Sequence, residues 1–124
     1  RVDLFLNNAG RASSSRKPLW ELAPEDVEET CKVNTAGSML CSQAAIKLFL
    51  EQAKEDGGSA PGPAYHIFNF GFSVAGSQLS ASTVPHKSTK RGVAEMTGFL
   101  AAELKKNGLD RLIGVHECSP GLVL

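Results

Sequence analysis

The chain has 124 residues, enough for one domain at most, and 42% of them are apolar. Thirteen basic residues balance thirteen acidic ones, so nothing suggests the positively charged face of a nucleic-acid-binding protein. No apolar run reaches the roughly 18 residues that a transmembrane helix requires. These features favour a globular domain with no nucleic-acid partner, no transmembrane segment and no leader peptide within the chain.

The cysteine pattern argues against disulfides and against zinc. Cys31 and Cys41 fall ten residues apart on one predicted helix, which is too far for a disulfide at about 1.5 Å of rise per residue. His116 and Cys118 alternate on a predicted strand without a second ligand pair. We therefore expect free thiols, a reducing compartment and no metal site.

The first half of the chain predicts a strand, a loop and a long helix. A buried strand over residues 2–6 ends at the turn signal of residues 7–10. Residues 11–19 are polar and loop-like, and Trp20 is expected to pack beneath this loop. Pro24, followed by acidic residues, predicts the start of a helix that runs to about residue 51, with a weak point at residues 34–37.

The second half repeats the alternation. Residues 54–64 predict a surface loop, residues 65–70 a buried strand, and residues 71–76 a turn rich in small side chains. A second helix is predicted from Pro85 to about Asn107, where Asn-Gly supplies a C-cap. A third strand over residues 112–118 precedes Ser-Pro-Gly.

This order predicts the α/β class, with a partial Rossmann-type, doubly wound parallel sheet of three strands and two long helices. Right-handed crossovers in one direction place both helices on the same sheet face. Because the strands read as apolar on both sides, we expect the other face to need helices from elsewhere in a larger domain.

A set of short motifs lies at the ends of these elements or inside them. In chain order they are the Asn-Asn-Ala-Gly turn at residues 7–10, Asn34, Ser73, Lys90 and Pro120-Gly121. Each motif alone is weak evidence, and each has a structural interpretation as a tight turn, a helix-interrupting polar residue, a turn serine or a strand stop. The ordered set spans essentially the whole chain and resembles the short-chain dehydrogenase/reductase family.

The resemblance implies hydride transfer between a nicotinamide cofactor, NADPH or NADH, and a small-molecule carbonyl or alcohol. Lys90 matches the family lysine, which lowers the pKa of a tyrosine four residues earlier from about 10 towards neutrality. Ser73 matches the serine that hydrogen-bonds the substrate oxygen, and Asn34 matches the asparagine that organises a proton-relay water. The cofactor-binding positions implied are Asn8, Ala9, Gly10, Lys90, Pro120 and Gly121.

Position 86 departs from the family pattern, because His86 stands where the family has its catalytic tyrosine. Ser73 lies thirteen residues before it, so the register is kept, and Tyr65 begins a strand and cannot substitute. Imidazole can act as a general acid, yet a neighbouring ammonium disfavours its charged form, and the ring is shorter than a phenol. His86 therefore leaves three hypotheses open: proton transfer through the histidine, impaired activity, or a silent protein.

Several stretches are similar to the chlorophyll b reductases of plants and algae, a branch of this family. They include Val-Asp-Leu-Phe at residues 2–5, His-Ile-Phe-Asn at residues 66–69 and Thr-Lys-Arg at residues 89–91. This resemblance implies NADPH-dependent reduction of the formyl group of chlorophyll b or chlorophyllide b to a hydroxymethyl group, in chloroplast thylakoids. Two features depart from the branch: His86 and an inserted Gly-Ser-Ala-Pro-Gly-Pro loop at residues 58–63.

Two other functions stay open: reduction of a different ketone, in which case a cytoplasmic location is expected, and binding of a nucleotide or partner without turnover. We expect residues 1–124 to form the central to C-terminal part of one dinucleotide-binding domain. The glycine-rich phosphate loop and the ribose-reading residue, which separate NADP from NAD, are expected before Arg1, and a substrate-covering segment after Leu124. A homo-oligomer that uses the first long helix is implied by the family resemblance.

Overall fold

The computed structural model describes residues 1–13, 15–57 and 62–119. The strands are β1 (Leu4–Asn7), β2 (Tyr65–Phe70) and β3 (Ile113–Cys118), and the helices are α1 (Pro24–Cys31), α2 (Gly37–Asp56), α3 (Val74–Leu79) and α4 (Val84–Lys106). The three strands form one parallel sheet in the order β1-β2-β3. The predicted fold class is therefore confirmed.

Both long helices pack on one face of the sheet, as the crossover rule predicts. Tyr65, Ile67 and Asn69 of β2 are buried, whereas the residues between them are only partly buried. Phe49 of α2 stacks on Tyr65, with ring centroids 4.8 Å apart. On the same face, Asn69 Nδ2 donates to Thr97 Oγ1 of α4 at 3.0 Å. The core thus lies between this face and α2 and α4.

The first long helix is continuous but not uniform. It begins with Pro24 in its first turn, and a π-helical turn, Lys32–Ala36, separates α1 from α2. This turn overlaps the segment predicted to be weak. The helix then runs to Asp56, beyond the predicted end, so the prediction of a loop from residue 54 was wrong. The reason is the cap: Gly57 adopts φ 66°, which glycine tolerates and which ends the helix there.

Two local predictions were wrong. Residues 71–76 were expected to form a turn, but α3 begins at Val74 because Ser73 caps it, its Oγ accepting a hydrogen bond from the backbone N–H of Gly76. Trp20 was expected to be packed, but its side chain is 85% exposed on a 3₁₀ turn, Leu19–Glu21. Leu22, which is 8% exposed, occupies the inward position of this segment instead.

Cys31, Cys41 and Cys118 are all free thiols. In the part of the chain that the structure describes, no cluster of three or more histidine, cysteine or acidic side chains could hold a metal ion. Within the same ranges, none of the helices combines the length and apolar character needed to cross a bilayer.

Candidate active site

The predicted site residues gather where the parallel strands end. β1 ends at Asn7 and leads into the turn that contains Gly10, and β2 ends at Phe70, three residues before Ser73. The carboxyl ends of parallel strands lie on one edge of the sheet, which we call the carboxyl edge. Ligands of open α/β sheets bind in the crevice outside this edge.

Lys90 connects the ends of β1 and β2. Its Nζ donates to the carbonyl oxygen of Phe70 at 3.1 Å, and its side chain is almost buried, with the residue 9% exposed. A Cβ at Gly10 would lie only 2.7 Å from this Nζ, so glycine permits the turn to approach the amine. Burial lowers the pKa of Lys90. An ammonium has three donors, and Phe70 accepts one of them.

Asn34 is fully buried in the π-helical turn and holds the segment that follows Gly10. Its Oδ1 accepts from the backbone N–H of Arg11 at 2.7 Å, and its Nδ2 donates to the carbonyl oxygen of Arg11 at 2.8 Å. The same Nδ2 donates to Thr89 Oγ1 on α4 at 3.0 Å. The asparagine therefore ties the turn to the helix that carries Lys90.

Asn8, Ala9 and Gly10 are exposed at the end of β1. Small side chains at such a turn let a ligand come close to the backbone. The Lys90 amine lies close to this turn at Gly10.

Ser73 lies on the same edge and beside the Lys90 backbone. The backbone N–H of the preceding Phe72 donates to the carbonyl oxygen of Lys90 at 3.1 Å, and the N–H of Ser73 donates to Ser119 Oγ at 2.7 Å. Ser73 Oγ accepts from Gly76 at 3.0 Å. Because a hydroxyl both donates and accepts, this cap leaves the hydrogen of the Ser73 hydroxyl available for another acceptor.

His86 lies in the first turn of α4, one helical turn before Lys90. Its Nδ1 is hydrogen-bonded to Ser82 Oγ, and its ring meets the ring of Phe72 edge-on, with centroids 5.3 Å apart. Burial, and then the charge of Lys90, lower the pKa of His86 below its usual value. The imidazole is therefore mostly neutral at neutral pH, as the sequence led us to expect.

Tyr65, the chain's single tyrosine, lies away from this edge. Its hydroxyl donates to Asp56 Oδ2 at 2.7 Å, and Arg1 also binds this carboxylate. The hydrogen bond to Asp56 raises the pKa of Tyr65, which makes its phenol a weaker acid. Tyr65 is the first residue of β2, so it cannot replace a tyrosine at position 86.

The structure brings together most, but not all, of the predicted residues. Pro120 and Gly121 lie outside the described residues. Sequence reasoning missed Gly71, Phe72 and Ser82. The spacing of Ser82 four residues before His86 could have indicated their contact from the sequence. No sequence signal could have indicated the Phe72 contact, because that contact depends on how α4 packs against the end of β2.

Gly71 is the tightest point of that packing, and Gly71→Ala is expected to destabilise the fold by about 1–3 kcal/mol. A Cβ there would lie 2.7 Å from the carbonyl oxygen of Lys90 and 3.0 Å from the backbone nitrogen of Ala94, and backbone atoms cannot move aside cheaply. Denaturant unfolding of the full-length protein measures the loss. Gly98→Ala is the matched control, because beyond the neighbouring residues and the nearby backbone of α4 no atom lies within 4 Å of the added Cβ, and alanine favours the helix. Equal stability of the two variants would contradict the packing argument.

A parallel sheet with helical crossovers and a ligand edge of this kind defines a Rossmann-type α/β protein. The family model described as short chain dehydrogenase matches residues 1–124. The chain therefore belongs to the short-chain dehydrogenase family.

Within the family the chain is similar to chlorophyll(ide) b reductases. It is 36% identical over 122 residues to "Chlorophyll(ide) b reductase NOL, chloroplastic" of Arabidopsis thaliana, covering 98% of this chain and 32% of that protein. The protein of the same name from Oryza sativa subsp. japonica is 34% identical, with 98% and 33% covered. The chain thus spans about a third of the length of these relatives. The predicted branch is confirmed at the level of sequence similarity.

A solved structure agrees with this assignment. The 3-oxoacyl-[acyl-carrier protein] reductase from Brucella melitensis in complex with NAD superimposes with a TM-score of 0.72 at 26% identity. The match covers 97% of this chain and 43% of that one.

Proposed function

We propose that this chain forms the catalytic edge of a nicotinamide-dependent carbonyl reductase. The observation that best supports the proposal is the approach of the Lys90 amine to the Gly10 turn, where a single Cβ would collide with it. A buried ammonium beside an exposed backbone turn provides positive charge and hydrogen-bond donors at the place where α/β sheets bind ligands.

The residues present fit a nicotinamide cofactor, NADPH or NADH. Asn8, Ala9 and Gly10 would face it with backbone and small side chains, and the Lys90 amine would donate to its hydroxyl groups. Pro120 and Gly121 are proposed contacts from the family resemblance alone. When bound, the cofactor supplies the hydride that reduces the carbonyl carbon. The Brucella relative's complex with NAD supports this part of the proposal.

Side chains of this chain would then stabilise the charge that develops on the carbonyl oxygen. As the carbonyl carbon gains a hydrogen, the oxygen becomes negatively charged and must be stabilised and protonated. The Ser73 hydroxyl would donate a hydrogen bond to it, and the Lys90 ammonium would stabilise the charge. His86 occupies the position from which a proton donor would act, and Asn34 keeps the Gly10 turn in place.

For the substrate we propose the formyl group of chlorophyll b or chlorophyllide b, with action in the chloroplast at the thylakoid. The names of the Arabidopsis and Oryza relatives support both the substrate and the organelle.

Self-association through the first long helix also stays a proposal. Its support is the exposed apolar surface of α2, where Met39, Leu40 and Leu48 are 49%, 63% and 38% exposed.

A second function is favoured by one observation: the loss of the tyrosine at position 86. A protein that binds a nucleotide or a partner without turnover would retain the fold, the Gly10 turn and Lys90 while losing the efficient proton donor. Reduction of another ketone instead of the chlorophyll b formyl group is a further alternative. Parallel assays with chlorophyllide b and with a ketone substrate would separate these two reductase functions.

Lys90→Met tests the proposal. In the full-length protein we expect at least a tenfold loss of NADPH-dependent formation of the hydroxymethyl product, because the ammonium is removed while an apolar stem is kept. Product is measured by chromatography, and NADPH affinity by fluorescence.

Lys87→Met, on the same helix and less buried, is the matched control and should retain activity. Turnover unchanged in Lys90→Met would contradict the reductase proposal. NADPH binding without turnover in the wild type would favour the silent binding protein.

A further inference from the structure

Ser82 is the residue beside His86 to which no function has been assigned so far. It precedes the first residue of α4 by two positions, and its backbone N–H donates to Ser80 Oγ at 3.1 Å, which fixes the loop that carries it. Its hydroxyl lies in hydrogen-bond contact with His86 Nδ1. The same imidazole contacts the Phe72 ring in a T-shaped arrangement, with an interplanar angle of 74°. The ring is therefore held on two sides.

The chemistry of a neutral imidazole makes the direction of this hydrogen bond important. One ring nitrogen carries a hydrogen and the other carries a lone pair. If Nδ1 held the hydrogen, Nε2 would present a lone pair, which cannot bond to a carbonyl oxygen. If Ser82 donates to Nδ1, the hydrogen is on Nε2, and the ring offers a neutral N–H donor. A neutral histidine of this kind can polarise a carbonyl, as in triosephosphate isomerase, where a helix N-terminus disfavours the charged form.

We propose that Ser82 is a positioning residue that donates its hydroxyl to His86 Nδ1 and so keeps the imidazole in the Nε2–H tautomer, a neutral hydrogen-bond donor for the substrate carbonyl oxygen. This inference rests on the proposed reductase function for its catalytic consequence, but not for the tautomer itself. It gives the histidine a role that does not require the imidazolium form, which burial and Lys90 disfavour. The N–H stabilises the developing negative charge on the oxygen and remains on the ring, and the proton that converts the alkoxide into the hydroxyl product comes from solvent water.

Nitrogen NMR of histidine-labelled full-length protein tests the tautomer directly. The signals that disappear in His86→Gln identify His86. In the wild type we expect Nδ1 to be the lone-pair nitrogen and Nε2 to be protonated. In Ser82→Ala the fraction with hydrogen on Nδ1 should rise, and Ser82→Thr, which retains a hydroxyl, should restore the wild-type pattern.

The catalytic consequence is measured on the same proteins. Loss of one positioning hydrogen bond should lower kcat about two- to tenfold in Ser82→Ala, with little change in the KM for NADPH. Ser88→Ala, an exposed serine on the same helix, is the control and should change neither the tautomer nor kcat.

Hydrogen on Nδ1 in the wild type, or an unchanged tautomer and kcat in Ser82→Ala, would overturn the inference. The expected tautomer pattern together with no reduction of any carbonyl by any variant would support the positioning of His86 by Ser82. That result would at the same time overturn the reductase proposal, so the two failures are distinguishable.

Discussion

Replacing His86 by tyrosine in the full-length protein is expected to raise the kcat of NADPH-dependent formyl reduction about 100-fold, within the range of general acid catalysis. Burial and the Lys90 charge lower the pKa of His86, so the imidazolium population falls as pH rises through that lowered value, and little charged acid remains near neutrality. The same Lys90 charge acts in the opposite sense on a phenol. It lowers the phenol pKa from about 10 and makes tyrosine a better acid.

The reach of the side chain adds to this effect, because a phenol oxygen extends farther from the backbone than an imidazole nitrogen. His86→Phe is the matched control: it supplies a ring of similar width with no donor and should show no gain. NADPH affinity should stay near the wild-type value in both variants, since position 86 is proposed to act on the substrate oxygen. Steady-state kinetics with chlorophyllide b and NADPH measure the result. A tyrosine variant no faster than His86→Phe would point to a binding protein instead of a disabled reductase.

Phe49→Ala is expected to cost about 3–5 kcal/mol of unfolding free energy, the range for truncating a large buried aromatic side chain. Phe49 is fully buried and stacks on Tyr65, with an interplanar angle of 11°. It belongs to the cluster that joins α2, β2, α4 and β3: Ala45, Phe49, Tyr65, Ile67, Leu104 and Ile113. Removing the ring leaves a cavity at the centre of this cluster, because the sheet and both helices resist collapse.

The chain provides its own control for this substitution. Phe99 of α4 is 70% exposed, so Phe99→Ala should change stability by no more than about 0.5 kcal/mol. Both values come from denaturant unfolding of the full-length protein. A loss below about 1 kcal/mol for Phe49→Ala would mean that this core does not carry the stability assigned to it here.

Local signals determined the order of the elements. Proline and acidic residues placed the start of α1, and apolar runs placed the three strands within two residues of their observed bounds. The family resemblance proposed Ser73, His86 and Lys90 as site residues, and the four-residue spacing of His86 and Lys90 predicted that they share a helix face. The resemblance to the short-chain dehydrogenase/reductase family rested on motifs at these same element ends, and the match of the family model to residues 1–124 showed the family.

Local sequence signals could not predict the contacts between residues that are far apart in the chain. The Asn34 amide reaches Arg11 and Thr89 across sequence separations of 23 and 55 residues, and the Gly10 turn approaches Lys90 only because α4 packs against the end of β2. The extension of α2 to Asp56 depended on a glycine cap, and α3 depended on the Ser73 cap. The sequence alone therefore determined which groups are available and in what order, since propensity and capping act over a few residues. Only the tertiary structure decided which groups meet, since packing depends on the whole fold.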